Sequence, residues 1–360
     1  MEIFIERVEN PESWDIELES FRGSVFMTRK WIEVISSHER NPLYLRFVND
    51  KEVVAVLAGI QLLNAKGTAK QLFFYSGITA KTKDPELIRK CKLALYEFAK
   101  NNNYYRVSMR SYDHISYVPA KLKQFKEKQR TEFITFLDDD KDEIYKSFSL
   151  DIIKRARRAK KKGVILKNSY STSLTEKMLT LLNETYNIRK SKGYGRYSYF
   201  FLPFFKHEEI NKLVTARHAT FYYAEFQNEI LSILFIFSCR GRAYGIFQAT
   251  SLNGYKLGAP AFLKYEVTGV LKDTGYQYYN HGGVPGSLKH KGLRKFKEKI
   301  GAEPVSSSEE LTNFLTSPLN LLNPWMNLKR VLRNLKIFPS KITNAIIKII
   351  DIILNKRDEY

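Results

Sequence analysis

The chain has 360 residues, of which 44% are hydrophobic and 14% aromatic, so it carries ample material for a packed core and is not a disordered chain. Its 59 Lys and Arg against 38 Asp and Glu give a net charge of +21, which favours polyanionic partners such as nucleic acid, anionic lipid or phosphate-bearing ligands. Two cysteines, Cys91 and Cys239, exclude a disulfide framework, and without a CxxC pair we expect a reducing compartment and no structural zinc.

The first half of the chain has the pattern of a small α+β unit. Runs rich in β-branched and aromatic residues alternate with polar turns, and a stripe of apolar residues at helical spacing follows them. Asp84 and Pro85 are typical of a helix start, because aspartate caps the first amides and proline fits the first turn. The predicted elements are a helix at about 28–36, strands at 44–48, 53–63 and 71–75, a helix at about 85–100 and a strand at 104–110.

The same element order returns about 175 residues later. Ser173 and Glu176 have the spacing of a capping box, so a helix is predicted to begin there. The predicted elements are that helix, strands at 220–226, 230–239 and 244–249, a loop at 250–258, a helix at about 260–272 and a strand at 276–280. The halves share negligible sequence identity, so the repeat lies in the order of elements and indicates an internal duplication.

This order of helix, antiparallel strands, helix and strand resembles the α+β acyltransferase fold of the GNAT type. We therefore predict an α+β protein of two tandem GNAT-like domains with mixed, mainly antiparallel sheets, followed by a basic helical C-terminal tail. The predicted domains are residues 1–146, residues 147–306 and the tail at 307–360.

A strongly basic segment opens the second predicted domain. Seven of the nine residues from Lys154 to Lys162 are Lys or Arg, and no acidic residue occurs from 152 to 175. The segment is predicted to form a helix that ends at Gly163. Binding of tRNA phosphates, steering of a pyrophosphate-bearing acceptor and contact with anionic lipid are all compatible with this charge.

The tail is amphipathic and basic. Apolar residues recur at helical spacing from 342 to 354, which gives a helix of about 20 Å, too short to span a bilayer. Residues 319–357 are expected either to contact an anionic membrane surface or to pack on the protein body. The sequence shows no signal peptide and no membrane-spanning apolar run, so we expect a cytoplasmic protein, free or peripheral at the inner face of the membrane.

The richest candidate site lies between residues 275 and 302. The usual nucleophile and metal-binding motifs are absent from the sequence, and no metal site is expected. In this stretch a predicted strand ends in Gly282 and Gly283, where a ligand can approach the backbone closely. A polar loop and a short basic helix at 292–299 follow, and a solvated surface helix is the alternative interpretation.

This stretch resembles the C-terminal signature of the Fem family of peptidoglycan-bridge aminoacyltransferases and of related GNAT-like acyltransferases. In that signature, a strand ending in an acidic-apolar-Gly-Gly run precedes a loop and Gly-Leu/Ile-x-x-Phe-Lys-x-x-Phe-Gly. The matching residues are Gly282, Gly283, Gly292, Leu293, Phe296, Lys297 and Gly301. The sequence departs from the pattern at Asn280 and Ile300, where the family has Asp and Phe.

The resemblance implies transfer of an acyl or aminoacyl group to an amine, in a groove between the two domains. Lys297 aligns with a lysine beside the reacting carbonyl, where a cation stabilises the oxyanion. Arg196 falls near a position that contacts acceptor phosphates, and an arginine of a surface loop is the alternative interpretation. Gly282 and Gly283 are expected to contact substrate. Direct attack by an amine needs no enzyme nucleophile, so the lack of a catalytic Ser or Cys is compatible with this reaction.

Three further candidates lie near the expected groove, at the ends of predicted strands. Tyr244 and Gln248 are expected to bind substrate, with a purely structural role as the alternative. His281 is the candidate catalytic base, because the pKa range of histidine suits proton transfer near neutral pH.

The loop at 250–258 occupies the place where GNAT enzymes hold a pyrophosphate. Amides at the start of the next helix favour an anion, and Gly254, Lys256 and Gly258 are the expected cofactor contacts. The loop lacks the full GNAT pattern (Q/R-x-x-G-x-G/A), so acyl-CoA and aminoacyl-tRNA both stay open as co-substrates, with a slight preference for acyl-CoA and no tightly bound cofactor. The implied acceptor is a phosphate-bearing glycan or peptidoglycan precursor.

Two functions of other classes remain as alternatives. The charge of +21, with 22 Tyr and 24 Phe, suits a non-enzymatic nucleic-acid-binding protein that contacts phosphates and stacks bases. A peripheral membrane scaffold that works through residues 319–357 is the other.

Overall fold

The structure is a computed structural model that describes residues 2–63, 70–193, 198, 200–284, 291–317 and 319–324. Arg196 and the predicted tail helix at 342–354 lie outside the described residues. The strands are β1 Phe4–Arg7, β2 Arg40–Asn49, β3 Glu52–Leu63, β4 Lys70–Phe74, β5 Thr79–Ala80, β6 Tyr104–Met109, β7 Phe125–Phe136, β8 Ile165–Ser169, β9 Ala219–Phe226, β10 Glu229–Cys239, β11 Arg242–Thr250, β12 Tyr278–Gly283 and β13 Glu303–Thr312. The helices are α1 Trp14–Ser20, α2 Arg29–Ile35, α3 Pro85–Asn101, α4 Lys141–Lys146, α5 Leu150–Lys161, α6 Ser173–Ser191, α7 His207–Thr215, α8 Leu252–Leu257, α9 Ala259–Asp273 and α10 Lys291–Lys299, with short 3-10 helices at Val25–Met27 and Leu319–Leu322.

The strands form one continuous mixed sheet in the order β1-β2-β3-β4-β6-β13-β7-β12-β11-β10-β9-β8, and β5 pairs with β3 at its side. In the first half, β2, β3 and β4 are antiparallel and β6 joins β4 in parallel. In the second half, β9, β10 and β11 are antiparallel and β12 joins β11 in parallel. The two halves therefore have the same local topology, which confirms the predicted α+β fold of tandem GNAT-like units.

The centre of the sheet contains an exchange of strands that the sequence does not reveal. β7 follows the first half along the chain, yet it pairs with β12 of the second half. β13 follows the second half, yet it pairs with β6 of the first half as well as with β7. The first half thus contributes β7 to the sheet of the second half, and the second half contributes β13 to the sheet of the first. Residue 306, a predicted domain end, lies within β13, and the predicted domain boundaries stay a prediction.

Helix α3 shows how the sequence specifies an element on this sheet. The Asp84 side chain accepts the Glu86 amide, as the predicted N-cap requires, and Pro85 occupies the first turn. Leu87, Cys91 and Leu95 lie on one face and are buried. Because these residues recur every three to four positions, burial of one side is enough to hold the helix on the sheet.

Some local predictions were wrong. The segment expected to be a loop at 250–258 contains α8, whose Ser251 cap accepts the Gly254 amide. The capping box at Ser173 does not form: Thr172 is the N-cap of α6 and makes no side-chain cap bond. Strands β7, β8 and β13 and helix α7 were not predicted, because their polar faces obscure the hydrophobic pattern.

Candidate active site

The candidate site lies where β11 and β12 separate. Their parallel pairing ends at Tyr244 and Asn280, and β11 then continues to Thr250 without β12. Gly282 turns the end of β12 with a φ of +76°, which a residue with a side chain rarely adopts. A Cβ at Gly282 would lie 3.3 Å from the Tyr244 hydroxyl oxygen. At this separation, the side chains of Tyr244 and Asn280 lie against the exchanged strand β7 and bond its Glu132.

Asp113 is a buried carboxylate at this junction, 1% exposed, in the turn after β6. Its Oδ2 accepts the Val25 amide at 2.9 Å and the Tyr278 hydroxyl at 2.8 Å. Its Oδ1 accepts the Asn280 side-chain amide at 2.9 Å. Burial raises the pKa of Asp113 to about 6, against the opposing effect of these donors. The pKa of Asp113 therefore lies closer to neutral pH than that of an exposed aspartate.

Glu132 on β7 is the second buried carboxylate. Its Oε1 accepts the Tyr244 hydroxyl at 2.8 Å and the Arg130 guanidinium at 2.9 Å. Its Oε2 accepts the Asp113 backbone amide at 2.7 Å and the Asn280 side-chain amide at 2.9 Å. Burial and the Glu132 carboxylate raise the pKa of Tyr244 well above its usual value, so this phenol stays a donor. The exchanged strand thereby ties both halves to one polar cluster.

Lys297 on α10 closes the cluster from the other side of the glycine turn. Its ammonium donates to the carbonyl oxygens of His281 at 2.7 Å, Gly282 at 2.7 Å and Gly283 at 3.0 Å. Burial lowers the pKa of Lys297 to about 7, while the Glu132 charge favours the ammonium form. All three donors of the ammonium are engaged, so a contact with a substrate oxyanion requires release of one carbonyl. The catalytic role of Lys297 stays a prediction.

His281 faces the opposite side of β12 from the carboxylates. Its Nε2 lies 3.0 Å from the Thr135 hydroxyl and its Nδ1 lies 3.1 Å from the Lys264 amine. Lys264 also donates to the Tyr279 hydroxyl at 2.8 Å. Burial, and then the nearby Lys264, lowers the pKa of His281 well below its usual value, so the ring is neutral. The structure thus separates His281 from the Asp113 cluster, and its catalytic role stays a prediction.

The predicted pyrophosphate contacts lie at α8. The first amide of this helix, that of Leu252, donates to the Glu184 carboxylate at 2.7 Å. A Cβ at Gly254 would lie 2.4 Å from the Leu231 carbonyl oxygen, so this glycine allows α8 to pack on β10. Gly258 joins α8 to α9 with a φ of +81°. The Lys256 side chain lies in the last turn of α8. A phosphate at this helix start would have to displace a carboxylate.

The structure brings together only part of the predicted site. Tyr244, Gly282 and Lys297 meet at the end of β12. A Cβ at Gly283 would lie 2.8 Å from Arg130 Nη2, so a side chain of the protein already occupies that approach. Gln248 lies beyond the separation of the strands, and its Nε2 is buried with no hydrogen-bond partner among the described residues.

Sequence reasoning missed Asp113 and Glu132. A weak signal exists for each: Asp113 follows a predicted strand by a few residues, and Glu132 is an acid that adjoins the mainly apolar run 133–137. Neither signal predicts that the two meet, because Glu132 reaches the second half only through the strand exchange. The partners of Asp113 are up to 167 residues away in sequence.

The described residues define a class: two GNAT-like halves joined by exchanged strands, with a buried polar cluster at the junction. Among solved structures, FemX has a TM-score of 0.64 and 14% identity to the chain, over 90% of this chain and 99% of FemX. A Bacteroides thetaiotaomicron protein of unknown function has a TM-score of 0.52 and 12% identity, over 86% of this chain and 98% of its own. The lysylphosphatidylglycerol synthetase structure from Bacillus licheniformis has a TM-score of 0.49 and 14% identity, over 90% and 95%.

No protein-family model matches the sequence, and no curated protein matches it. The likeness to FemX shows a Fem/GNAT-like acyltransferase fold, as the sequence signature predicted. Within the described ranges, no helix is both long and apolar enough to cross a membrane.

Proposed function

We propose that the protein is an N-acyltransferase. It moves an acyl or aminoacyl group from acyl-CoA or aminoacyl-tRNA to an amine of a cell-envelope or surface-polysaccharide precursor. The observation that carries the proposal is the fold likeness to FemX over 90% of the chain, and the stretch that resembles the Fem signature supports it. The buried groups of both charge signs at that junction are the chemistry such a transfer uses.

The transfer requires attack of a neutral amine on an ester or thioester carbonyl, and then loss of the alcohol or thiol. The enzyme must orient the amine, accept its proton and stabilise the oxyanion. Lys297 provides positive charge at the glycine turn. Asp113, with its pKa of about 6, is the proposed acid-base group, and Asn280 links it to that turn by bonding both the Asp113 carboxylate and the Gly282 amide. In this proposal His281 supports β12 from the opposite side and does not meet the substrate.

The test offers acetyl-CoA and aminoacyl-tRNA separately to the purified protein, with an amine-bearing nucleotide-sugar precursor as acceptor. Mass spectrometry of the acceptor should show one added acyl or aminoacyl group with one of the two donors. No mass gain from either donor, across acceptors with and without a pyrophosphate, would contradict the proposal.

Lys297 provides the site-specific arm of that test. Lys297→Met should lower the transfer rate by about 100-fold or more, because it removes the cation beside the reacting carbonyl. Lys295→Met is the matched control, since Lys295 is exposed on the same helix and should keep turnover within about twofold. Equal rates in the two variants would remove Lys297 from the mechanism.

A further inference from the structure

Lys264 on α9 is a buried amine that the proposed mechanism does not use. Its side chain is almost fully buried, and its Nζ donates to the Tyr279 hydroxyl at 2.8 Å. The same Nζ lies 3.1 Å from His281 Nδ1. Tyr279 and His281 are two residues apart on β12, so both side chains project from the same face of the strand. Lys264 therefore meets β12 on the face that carries His281.

No carboxylate pairs with Lys264 in the part of the chain that the structure describes. The charge that acts on it is that of Lys297, which is also positive. Burial, and then this charge, lowers the pKa of Lys264 well below its usual value, so the amine is neutral. An apolar side chain of similar length would fill this place without the cost of desolvating an amine. The presence of the amine therefore indicates a use for its directional bonds.

The His281 ring has a hydrogen-bond partner at each nitrogen. Nδ1 faces Lys264 of α9, and Nε2 lies 3.0 Å from the Thr135 hydroxyl of the exchanged strand β7. All three side chains are almost fully buried, with exposures of 6% for His281, 5% for Lys264 and 3% for Thr135. Because hydrogen bonds are directional, partners at two edges fix the orientation of the ring. We call Thr135, His281 and Lys264 the His281 clamp.

The backbone of His281 connects the clamp to the proposed reaction centre. The His281 carbonyl oxygen accepts the Lys297 ammonium at 2.7 Å, and Gly282 follows with a φ of +76°. Gly282 has no side chain that could hold the turn in place. The ring therefore anchors, one residue before the turn, a carbonyl on which the position of the Lys297 ammonium depends.

We propose that Lys264 is a positioning residue for the transfer: with Thr135 it holds the His281 ring, and the ring fixes the carbonyl that places the Lys297 ammonium. This inference rests on the proposed function, in which Lys297 stabilises the oxyanion. A misplacement of about 1 Å at a reacting centre lowers a rate by up to about 100-fold. Loss of either end of the clamp should therefore lower kcat and leave KM nearly unchanged, because no residue of the clamp meets the substrate.

One backbone signal reports on the glycine turn. His281–Gly282 is the single His–Gly pair of the sequence, so labelling with ¹³C-carbonyl histidine and ¹⁵N-glycine gives one HNCO peak, from the His281 carbonyl and the Gly282 amide. The experiment records this peak for the full chain and its variants, and circular dichroism confirms that each variant folds.

Two variants open the clamp at opposite ends. Lys264→Met removes the amine of α9, and Thr135→Val removes the hydroxyl of β7 while it keeps the shape of the side chain. Thr135→Ser is the matched control, since it keeps the hydroxyl, and Lys100→Met is the control for a lysine at an exposed position of α3. If Lys264→Met does not fold, the comparison of Thr135→Val with Thr135→Ser decides the test.

We expect both clamp variants to move the peak by more than its line width and to lower kcat about 10-fold, with KM within about twofold of the wild type. Both controls should keep the peak in place and kcat within about twofold. A peak that stays in place in both clamp variants would overturn the inference. So would a raised KM with unchanged kcat, or an equal loss of kcat in Thr135→Ser and Thr135→Val.

The peak is measured without any acyl transfer. A peak that moves in the clamp variants, with no transfer from either donor, would count against the proposed function alone. Transfer at the wild-type rate in both clamp variants would count against this inference alone.

Discussion

Asn280 shows how one amide holds two carboxylates together. Its Nδ2 donates to Asp113 Oδ1 and to Glu132 Oε2, both at 2.9 Å, and its Oδ1 accepts the Gly282 amide at 2.8 Å. The family signature has an acid at this position. In this chain an acid there would place a third carboxylate in a buried cluster, so the departure that the sequence showed has a local physical reason.

We predict that Asn280→Asp lowers the free energy of unfolding by about 3 kcal/mol at pH 8, because a buried donor is replaced by an uncompensated charge. Burial beside the other carboxylates raises the folded-state pKa of the new aspartate above its unfolded value. Such groups favour folding below the unfolded pKa, and that contribution is lost as pH rises through the folded pKa. The loss should therefore be smaller at pH 5.

Urea denaturation of wild type and Asn280→Asp at both pH values measures this difference. Asn183→Asp on the exposed side of α6 is the control and should change stability by less than about 0.5 kcal/mol at either pH. If the loss of stability in Asn280→Asp were the same at both pH values, burial of a third acid in the cluster would not raise the pKa of that acid.

At the scale of elements, the Lys297 side chain connects α10 to the end of β12. Lys297 spans the glycine turn and donates to three successive carbonyls, while Lys295 and Lys299 on the same helix are exposed. Phe296 of the same helix packs against the core of the second half, and the Lys297 ammonium adds the polar contacts to the end of β12. Sequence resemblance identified Lys297 but not its partners, because those are backbone atoms.

We predict that Lys297→Met lowers the free energy of unfolding by about 2–4 kcal/mol at pH 7, since three buried carbonyls lose their donor. The folded-state pKa of about 7 lies below the usual 10.5 of lysine. The folded protein thus binds fewer protons than the unfolded chain between these values, and wild-type stability gains with rising pH there. The difference in free energy of unfolding between the wild type and Lys297→Met should therefore increase from pH 7 to pH 10.

Chemical denaturation at several pH values in this window measures the gap, with Lys295→Met as control. If the difference in free energy of unfolding between the wild type and Lys297→Met narrowed with rising pH, the pKa of the Lys297 amine would not be lowered in the folded state. Because this readout is stability, it is independent of whether the protein transfers any group.

How much of an element could be predicted depends on where its partners lie. Strands such as β10 and helix α3 were predicted within a few residues, because alternation and helical spacing are local signals. The positions of Asp113 and Glu132 were not, because their meeting depends on contacts between distant segments. Helix α8 was missed because its six residues carry no apolar stripe and include a glycine.

At the scale of the whole molecule, the exchanged strands β7 and β13 pair with each other along ten residues and form the centre of the sheet. The contact of β13 with β6 is shorter, with Glu310 opposite Met109 and Leu311 opposite Ser108. A buried ion pair reinforces this junction: the Lys92 amine on α3 lies 2.7 Å from Glu310 Oε1, and both side chains are almost fully buried. Burial raises the pKa of Glu310 to about 7, and the Lys92 charge opposes that rise.

Because one sheet runs through both halves, we expect a single cooperative unfolding transition rather than one for each half.

Lys92→Met should lower the free energy of unfolding by about 3–5 kcal/mol at pH 8, since it leaves a buried carboxylate without a cation. The loss should shrink below pH 7, where Glu310 is protonated in the folded state and needs no partner. The double variant with Glu310→Leu should recover most of the stability, because it buries neither charge. Urea unfolding followed by fluorescence and by circular dichroism tests all three points, and two separated transitions in the wild type would mean that the exchanged strands do not couple the halves.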